Sequence, residues 1–181
     1  MKFKKSDAVC EHVGLPMAQK TVQRKFLLLQ SPESIPVKYE SFEQKQTYLD
    51  LSKLDENEDL GGFAFVRRRG QNGVNSYTFS RRRVKDGKSA VIERQISGKE
   101  YKQLLDFAEH GRVTIEKNVR CFIYKNQYFQ IVEFKEPKKN LWVLTTNSNG
   151  QSDIQIPPWI NVCQEVTKDE NFQSYYIASN N

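Results

Sequence analysis

The sequence predicts an all-β fold with minor α content: an antiparallel sheet of about eight strands closed into a barrel. Three observations lead there. β-Branched and aromatic residues alternate with polar ones over short runs bounded by turn residues. Asn-Gly and Asp-Gly steps stand between successive runs, where hairpin turns call for positive φ. Finally, antiparallel strands with few long connections expose two adhesive edges unless the sheet closes. A sandwich is the alternative topology.

By this alternation, strands are expected over residues 21–29, 38–49, 63–69, 76–84, 89–96, 115–124, 128–134 and 141–147. The first two flank the turn Ser31-Pro32-Glu33-Ser34, and the third and fourth flank Gly70-Gln71-Asn72-Gly73. Asp86-Gly87 turns into the fifth, and Lys125-Asn126-Gln127 joins the two after it. A mid-chain helix opens on the capping box Ser97-Gly98-Lys99-Glu100. Tyr101, Leu104, Leu105 and Ala108 form its buried stripe and Gly111 its stop. A second box, Thr167-Lys168-Asp169-Glu170, announces a short C-terminal helix that packs Phe172, Tyr175 and Tyr176 on the barrel.

The length of 181 residues suits a single domain, expected over 21–178, with 1–20 as a tail or remnant linker and 179–181 frayed. No apolar stretch approaches the ~20 residues that cross a bilayer, and the start MKFKK lacks the apolar segment of a secretory signal, so the expected location is cytoplasmic. Cys10, Cys121 and Cys163 are odd in number and far apart, with only His12 and His110 to complete a soft metal site, and read as reduced thiols.

The formal charge of +6 points to a polyanionic partner. Acidic residues gather at Asp55, Glu56, Glu58 and Asp59, whereas arginines cluster at 67–69 and 81–83 on expected strands. Residues two apart share a strand face, so Arg67 and Arg69 point together, as do Ser80 and Arg82. If those faces line the interior, several guanidinium groups converge without carboxylate partners and require an anion, which their planar forks bind through phosphate oxygens. The alternative is that they solvate an outer face. The aromatics alternate as core residues and form no stacking platform, which argues against nucleic acid.

From 21 to 178 the chain resembles the CYTH, or triphosphate tunnel metalloenzyme, superfamily in a series of ordered pieces. VQRKFLL resembles that family's opening strand, FEQKQTYLD the second, FVRRRG the R-x-R strand and YTFSRRR the strand after it. VIERQISGKEY resembles the E-x-E strand leading to a helix, EKNVRCFIYKNQYFQIVEF the lysine-bearing hairpin, and IPPWINVCQEVTKDENFQSYYIA the closing segment. The nearest flavour is the domain that follows a P-loop NTPase domain in eukaryotic proteins of the TRPL-translocation-defect type. VCEHVGLPMAQKTVQRKF resembles that junction, although no P-loop motif occurs, so the chain reads as a fragment or as a member without that partner domain.

The resemblance implies a tunnel that holds phosphates on Lys25, Arg67, Arg69, Arg82 and Lys117, with Arg120 replacing the arginine expected at Val119 through a shifted register. It also implies magnesium or manganese on inward glutamates, and there the sequence departs. The opening E-x-E becomes Thr21-x-Gln23, the later one Val91-x-Glu93, the hairpin aspartate Val132 and the final E-x-E Thr145-x-Asn147, leaving Glu93 as the residual carboxylate. The expected function is therefore non-catalytic, metal-independent binding of a nucleotide, polyphosphate or phosphoinositide headgroup, without a resident cofactor. Expected partners are a phosphate-rich small molecule or an anionic lipid headgroup, with peripheral membrane contact, a protein partner or a P-loop NTPase domain as further readings. The alternatives are a triphosphatase that uses Mg or Mn through Glu93 with Glu133 or Glu165, and a structural scaffold whose surface, including Trp142 and Tyr175-Tyr176, contacts a partner.

Overall fold

The computed structural model describes residues 22–54, 61–85, 87–148 and 154–179. The expected tail, the acidic stretch at 55–59, Thr21, Asp86, Cys10 and His12 lie outside them. Nine strands form one sheet: β1 (Val22–Leu28), β2 (Tyr39–Leu49), β3 (Gly62–Gln71), β4 (Val74–Lys85), β5 (Lys88–Ile96), β6 (Ile115–Tyr124), β7 (Gln127–Glu136), β8 (Leu141–Ser148) and β9 (Val162–Glu165). Every pairing is antiparallel, in the order β5-β4-β3-β2-β6-β7-β8-β1-β9. The hairpin between β3 and β4 turns on Asn72 and Gly73 with φ of 51° and 76°, as its sequence dictates.

Two features differ from the predicted closed ring of eight. The four residues of β9, VCQE, are too few to show an alternation, yet they pair with Phe26–Leu28 of β1. Arg24 secures that pairing, its Nε and Nη2 donating to the two carboxylate oxygens of Glu165 at 2.9 and 2.5 Å. The sheet consequently has two ends, β5 and β9, and no ladder joins them among the described residues. It wraps a cavity by curvature, with side chains from all of β1–β8 on one concave face.

Most of the apolar core lies on the convex face. On one flank, α1 (Gly98–Leu105) covers Leu49, Ala64, Val66, Phe79 and Ile96 with Tyr101, Leu104 and Leu105. On the other, residues of 154–162 cover Phe26, Leu28, Phe122, Phe129, Ile131 and Leu144. Ser97 caps α1 by accepting from Glu100 N–H at 3.1 Å, but the Glu100 carboxylate takes Arg94 at 2.6 Å instead of closing the box. The helix ends at Leu105, before the predicted Ala108, which forms an isolated bridge with Leu49.

The predicted Thr167 box does not start a helix. Thr167 Oγ1 accepts from Lys25 N–H at 3.0 Å and donates to Glu165 at 2.6 Å, so it ties the closing segment to β1. Asp169 caps instead, accepting from Asn171 N–H at 3.0 Å in a 3-10 turn over Glu170–Phe172, and α2 (Ser174–Ile177) follows. Ile177 and Ala178 are fully buried among Tyr48, Ile115 and Phe134, and Ser179 bridges Arg112, so this segment is anchored to one end of the sheet.

Gly62, where β3 begins, has φ +109°, and a Cβ there would lie 2.1 Å from the Arg82 carbonyl oxygen across the ladder. Gly73 has φ +76° but open space around it. Gly62→Ala should therefore destabilise by more than 2 kcal/mol, because backbone must move, whereas Gly73→Ala should cost only about 1 kcal/mol of left-handed strain. Urea denaturation of both variants checks this; equal losses would contradict it.

Candidate functional site

Strand alternation delivers one residue in two to the concave face, and here those residues are mostly polar. Lys25 comes from β1, Arg67 and Arg69 from β3, Arg82 from β4, Glu93 from β5 and Lys117 from β6, all lining one cavity of about 1100 Å³. Register brings them into rows. Ser76, Arg69, Gln44 and Lys117 are successive cross-strand partners, and Thr78, Arg67, Gln46 and Ile115 form the next row.

Each of four cations rests on an aromatic face. Arg67 lies 5.1 Å from the ring centre of Phe65, Arg69 3.8 Å from Phe42, Arg82 5.7 Å from Phe63 and Lys117 5.1 Å from Phe134. An aromatic face attracts a cation without neutralising it, so the positive charge stays available. This aromatic support was readable in the sequence and overlooked: Phe63, Phe65, Arg67 and Arg69 follow one another at period two.

The C-terminal segment closes one end. Thr167, Phe172, Gln173, Ser174 and Tyr175 line the cavity there. Tyr175 stacks on Phe63 at 5.0 Å and meets Tyr48 edge-on at 5.1 Å, while Arg112 Nη1 donates to its carbonyl at 2.5 Å. Lys25 Nζ donates to the Phe172 carbonyl at 3.2 Å and Lys117 Nζ to Ser174 Oγ at 3.1 Å. An ammonium has three donors, so each lysine engages this floor with one and keeps others for a ligand.

Electrostatics at the floor are strained. Lys117 is only 9% exposed, and its pKa is pulled down to about 7, first by burial and then by the positive charges of Arg67 and Lys25. Burial also lowers the pKa of Lys25. Glu93 is the single carboxylate among the described lining residues; it accepts from Ser80 Oγ at 2.8 Å and stands 3.8 Å from Arg67 Nη1. Arg67 Nε and Thr78 Oγ1, cross-strand partners, are buried with no protein partner among the described residues. Two groups able to bind an anion thus meet beside each other without being satisfied.

Arg120 does not join the cluster. On β6 Lys117 and Val119 face the cavity, which puts Arg120 on the convex face with Asn118, where its Nη2 donates to Ser31 Oγ at 2.9 Å in a separate groove. The one register shift in the β6–β7 ladder falls between Glu116 and Lys117 and so leaves the alternation at 119–120 unchanged. Glu133 is also off the cavity, paired with Lys135 at 2.7 Å. Glu165 is held by Arg24, whose hydrogen bonds, with that of Thr167, bring its pKa down to about 2.

Among the described residues the cavity is poor in donors for a divalent metal. Beside Glu93 the cavity is lined by Gln23, Val91, Val132 and Thr145, and no group of three His, Cys, Asp or Glu forms a metal cluster among the described residues. A hard cation on Glu93 would also meet the charge of Arg67, whose Nη1 stands 3.8 Å from that carboxylate.

No protein-family model and no curated protein matches the chain. Among solved structures it is similar to the hypothetical protein NE1496, with 21% identity over 88% of this chain and 97% of that one and a TM-score of 0.57. A second structure, of the inorganic triphosphatase NE1496, gives 20% identity over 88% and 94% and the same TM-score of 0.57. The likeness shows the fold, which is the CYTH or triphosphate tunnel fold.

The depressed pKa of Lys117 has a signed consequence for stability. Between about pH 7 and its ordinary value of 10.5 the unfolded lysine holds a proton that the folded one releases, so stability should rise with pH through that window. Lys117→Met should stabilise the protein at neutral pH and flatten the rise. Chemical denaturation of both proteins from pH 6.5 to 10.5 measures it, and an unchanged slope in the variant would show that Lys117 is charged throughout.

Proposed function

We propose that the cavity binds a phosphate-rich anion, a nucleotide, polyphosphate or phosphoinositide headgroup, without a divalent metal and without turning it over. One observation carries this reading: Lys25, Arg67, Arg69, Arg82 and Lys117 share a single concave cavity with one carboxylate, Glu93, among the described residues. Like charges confined together raise the local potential and oppose their own ionisation, and a polyanion relieves both. Arginine forks bind phosphate oxygens in pairs, Arg67 Nε and Thr78 Oγ1 gain partners, and the floor lysines add point charges at the closed end. The likeness to a structure described as an inorganic triphosphatase supports phosphate as the recognised group. Affiliation with the domain that adjoins a P-loop NTPase belongs to the same proposal and rests on residues 9–26, which resemble that junction.

The second reading, a triphosphatase, is favoured by that same likeness, and Glu93 is the carboxylate it would depend on. It predicts magnesium- or manganese-dependent release of phosphate from tripolyphosphate that Glu93→Gln abolishes. The donor set opposes it, because one carboxylate leaves a hard cation to neutral ligands and water.

In magnesium-free buffer, tripolyphosphate should raise the melting temperature of the wild-type protein, and the double variant Arg67→Ala, Arg69→Ala should melt cooperatively yet show no shift. A shift retained in the double variant would remove the cavity from consideration as the binding site. A shift seen only with metal would favour the triphosphatase.

A further inference from the structure

The sheet ends on two edges of unequal character. β9 has four residues, and its pairing with β1 is interrupted by a register shift between Leu27 and Leu28; so short and irregular an edge offers an approaching strand little to pair with. β5 has nine residues, KSAVIERQI, without proline, and its register with β4 runs unbroken from Lys85↔Lys88 to Tyr77↔Ile96. No described strand lies beyond it in the sheet. At its middle Val91 and Ile92 are 65% and 48% exposed, one on each face of the strand. Such an edge lacks the brevity, bulges and prolines that keep edges from pairing. Its charged residues, Lys88, Glu93 and Arg94, are of both signs, so they select a register instead of forbidding one.

Backbone polarity along β5 follows from the turn before it. Lys85 and Lys88 are cross-strand partners two residues apart in the loop, which makes them the hydrogen-bonded pair that closes the hairpin. Bonded pairs then alternate: Ala90, Ile92, Arg94 and Ile96 bond to β4, while the N–H and C=O groups of Ser89, Val91, Glu93 and Gln95 point outward. Val84, opposite Ser89, donates its N–H to Gly61 on the β3 side at 3.0 Å, as this alternation requires. A second copy related by a two-fold axis normal to the sheet must oppose residues of one face, so the axis passes through a residue. Centred on Ile92, the whole of β5 pairs: Ser89 and Val91 bond to Gln95 and Glu93 of the second copy, and small Ala90 faces Arg94, which Glu100 of its own chain holds at 2.6 Å. Centring on Val91 pairs only residues 88–94 and sets Lys88 against Arg94. Centring on Glu93 pairs only 90–96 and opposes that carboxylate to itself. Like charges directly opposite destabilise a sheet, which leaves the Ile92 register.

We infer that β5 is a self-pairing edge: two copies of this chain join antiparallel, β5 to β5, about a two-fold axis at Ile92, into one sheet that runs through both. Ile92 falls in a non-hydrogen-bonded pair, where side chains approach most closely, so the two isoleucines pack on each other. Val91 and Glu93 line the cavity, which puts that isoleucine contact on the convex side of the seam. Pairing consumes the β5 edge and leaves each copy with β9 outermost, so assembly closes at two. With a single strand of each copy joined, the dimer is of the small, concentration-dependent kind.

Sedimentation equilibrium of the full chain over a range of concentrations should show a reversible monomer–dimer equilibrium. Because Ile92 meets its own equivalent, Ile92→Lys and Ile92→Glu should each lose the dimer, like charges then facing one another across the axis, and an equimolar mixture of the two should recover it as a heterodimer. Ile92 is half-exposed, so both variants should still melt cooperatively. Val91→Pro removes an outward N–H without touching the β4 ladder and should also give a monomer. A wild type that stays monomeric throughout, or a dimer that survives both Ile92 substitutions and Val91→Pro, would overturn the self-pairing edge. Monomeric variants whose mixture stays monomeric would overturn the Ile92 register, and species larger than two would overturn the closed, two-fold pairing.

Discussion

The site depends on which side of the sheet is used for packing. Burying apolar side chains is the dominant stabilisation available to a domain of this size, and here much of it is achieved on the convex side, under α1 and under the 154–162 segment. A strand packed on one face is free to be polar on the other. The concave face can therefore hold glutamines, threonines and cations beside a third apolar cluster that runs from the C-terminal segment to Phe42, Val119 and Val132. Had the interior been the principal core, each inward charge would have required a buried counter-ion.

What stabilises the cations against one another is not opposite charge. Aromatic rings under Arg67, Arg69, Arg82 and Lys117 contribute about 0.5–2 kcal/mol each, with the larger values where water is excluded. That is comparable with one hydrogen bond to a charged group and well short of what an isolated buried ion costs. Lys117 shows the balance failing: at the most enclosed position, burial and two cationic neighbours bring its neutral form within reach at physiological pH. Under the proposed function, an anion that favours the folded form would be returned that cost as affinity.

The sequence displayed the parts that follow from local chemistry. Alternation located eight of the strands, Asn72-Gly73 placed a hairpin, and the same period put Arg67 with Arg69 on one strand face, whereas the convergence of Lys25, Arg67, Arg69, Arg82, Glu93 and Lys117 followed from the family resemblance. Contacts distant in sequence were less accessible. β9 is a strand because Arg24 and Thr167 fasten it to β1, a pairing that joins residues 141 apart, and no propensity in VCQE announces it. The same dependence explains Thr167, which has the residue types of a helix cap and is recruited to the sheet instead. Arg120 was misplaced by supposing a register shift where none exists; plain alternation gives the observed answer.

Glu93 shows why the remaining acid does not neutralise the cavity. Its Oε2 is hydrogen-bonded to Ser80 and stands 3.8 Å from Arg67 Nη1, beyond hydrogen-bond range, with half of its side chain in water. An ion pair of that geometry is worth little, because solvent screens it and it satisfies neither partner. Among the described residues, Arg67 Nε remains buried without a hydrogen-bond partner, on the residue that pairs across the ladder with Thr78. The carboxylate of Glu93 thus holds Arg67 only loosely, and its firmer partner is the Ser80 hydroxyl.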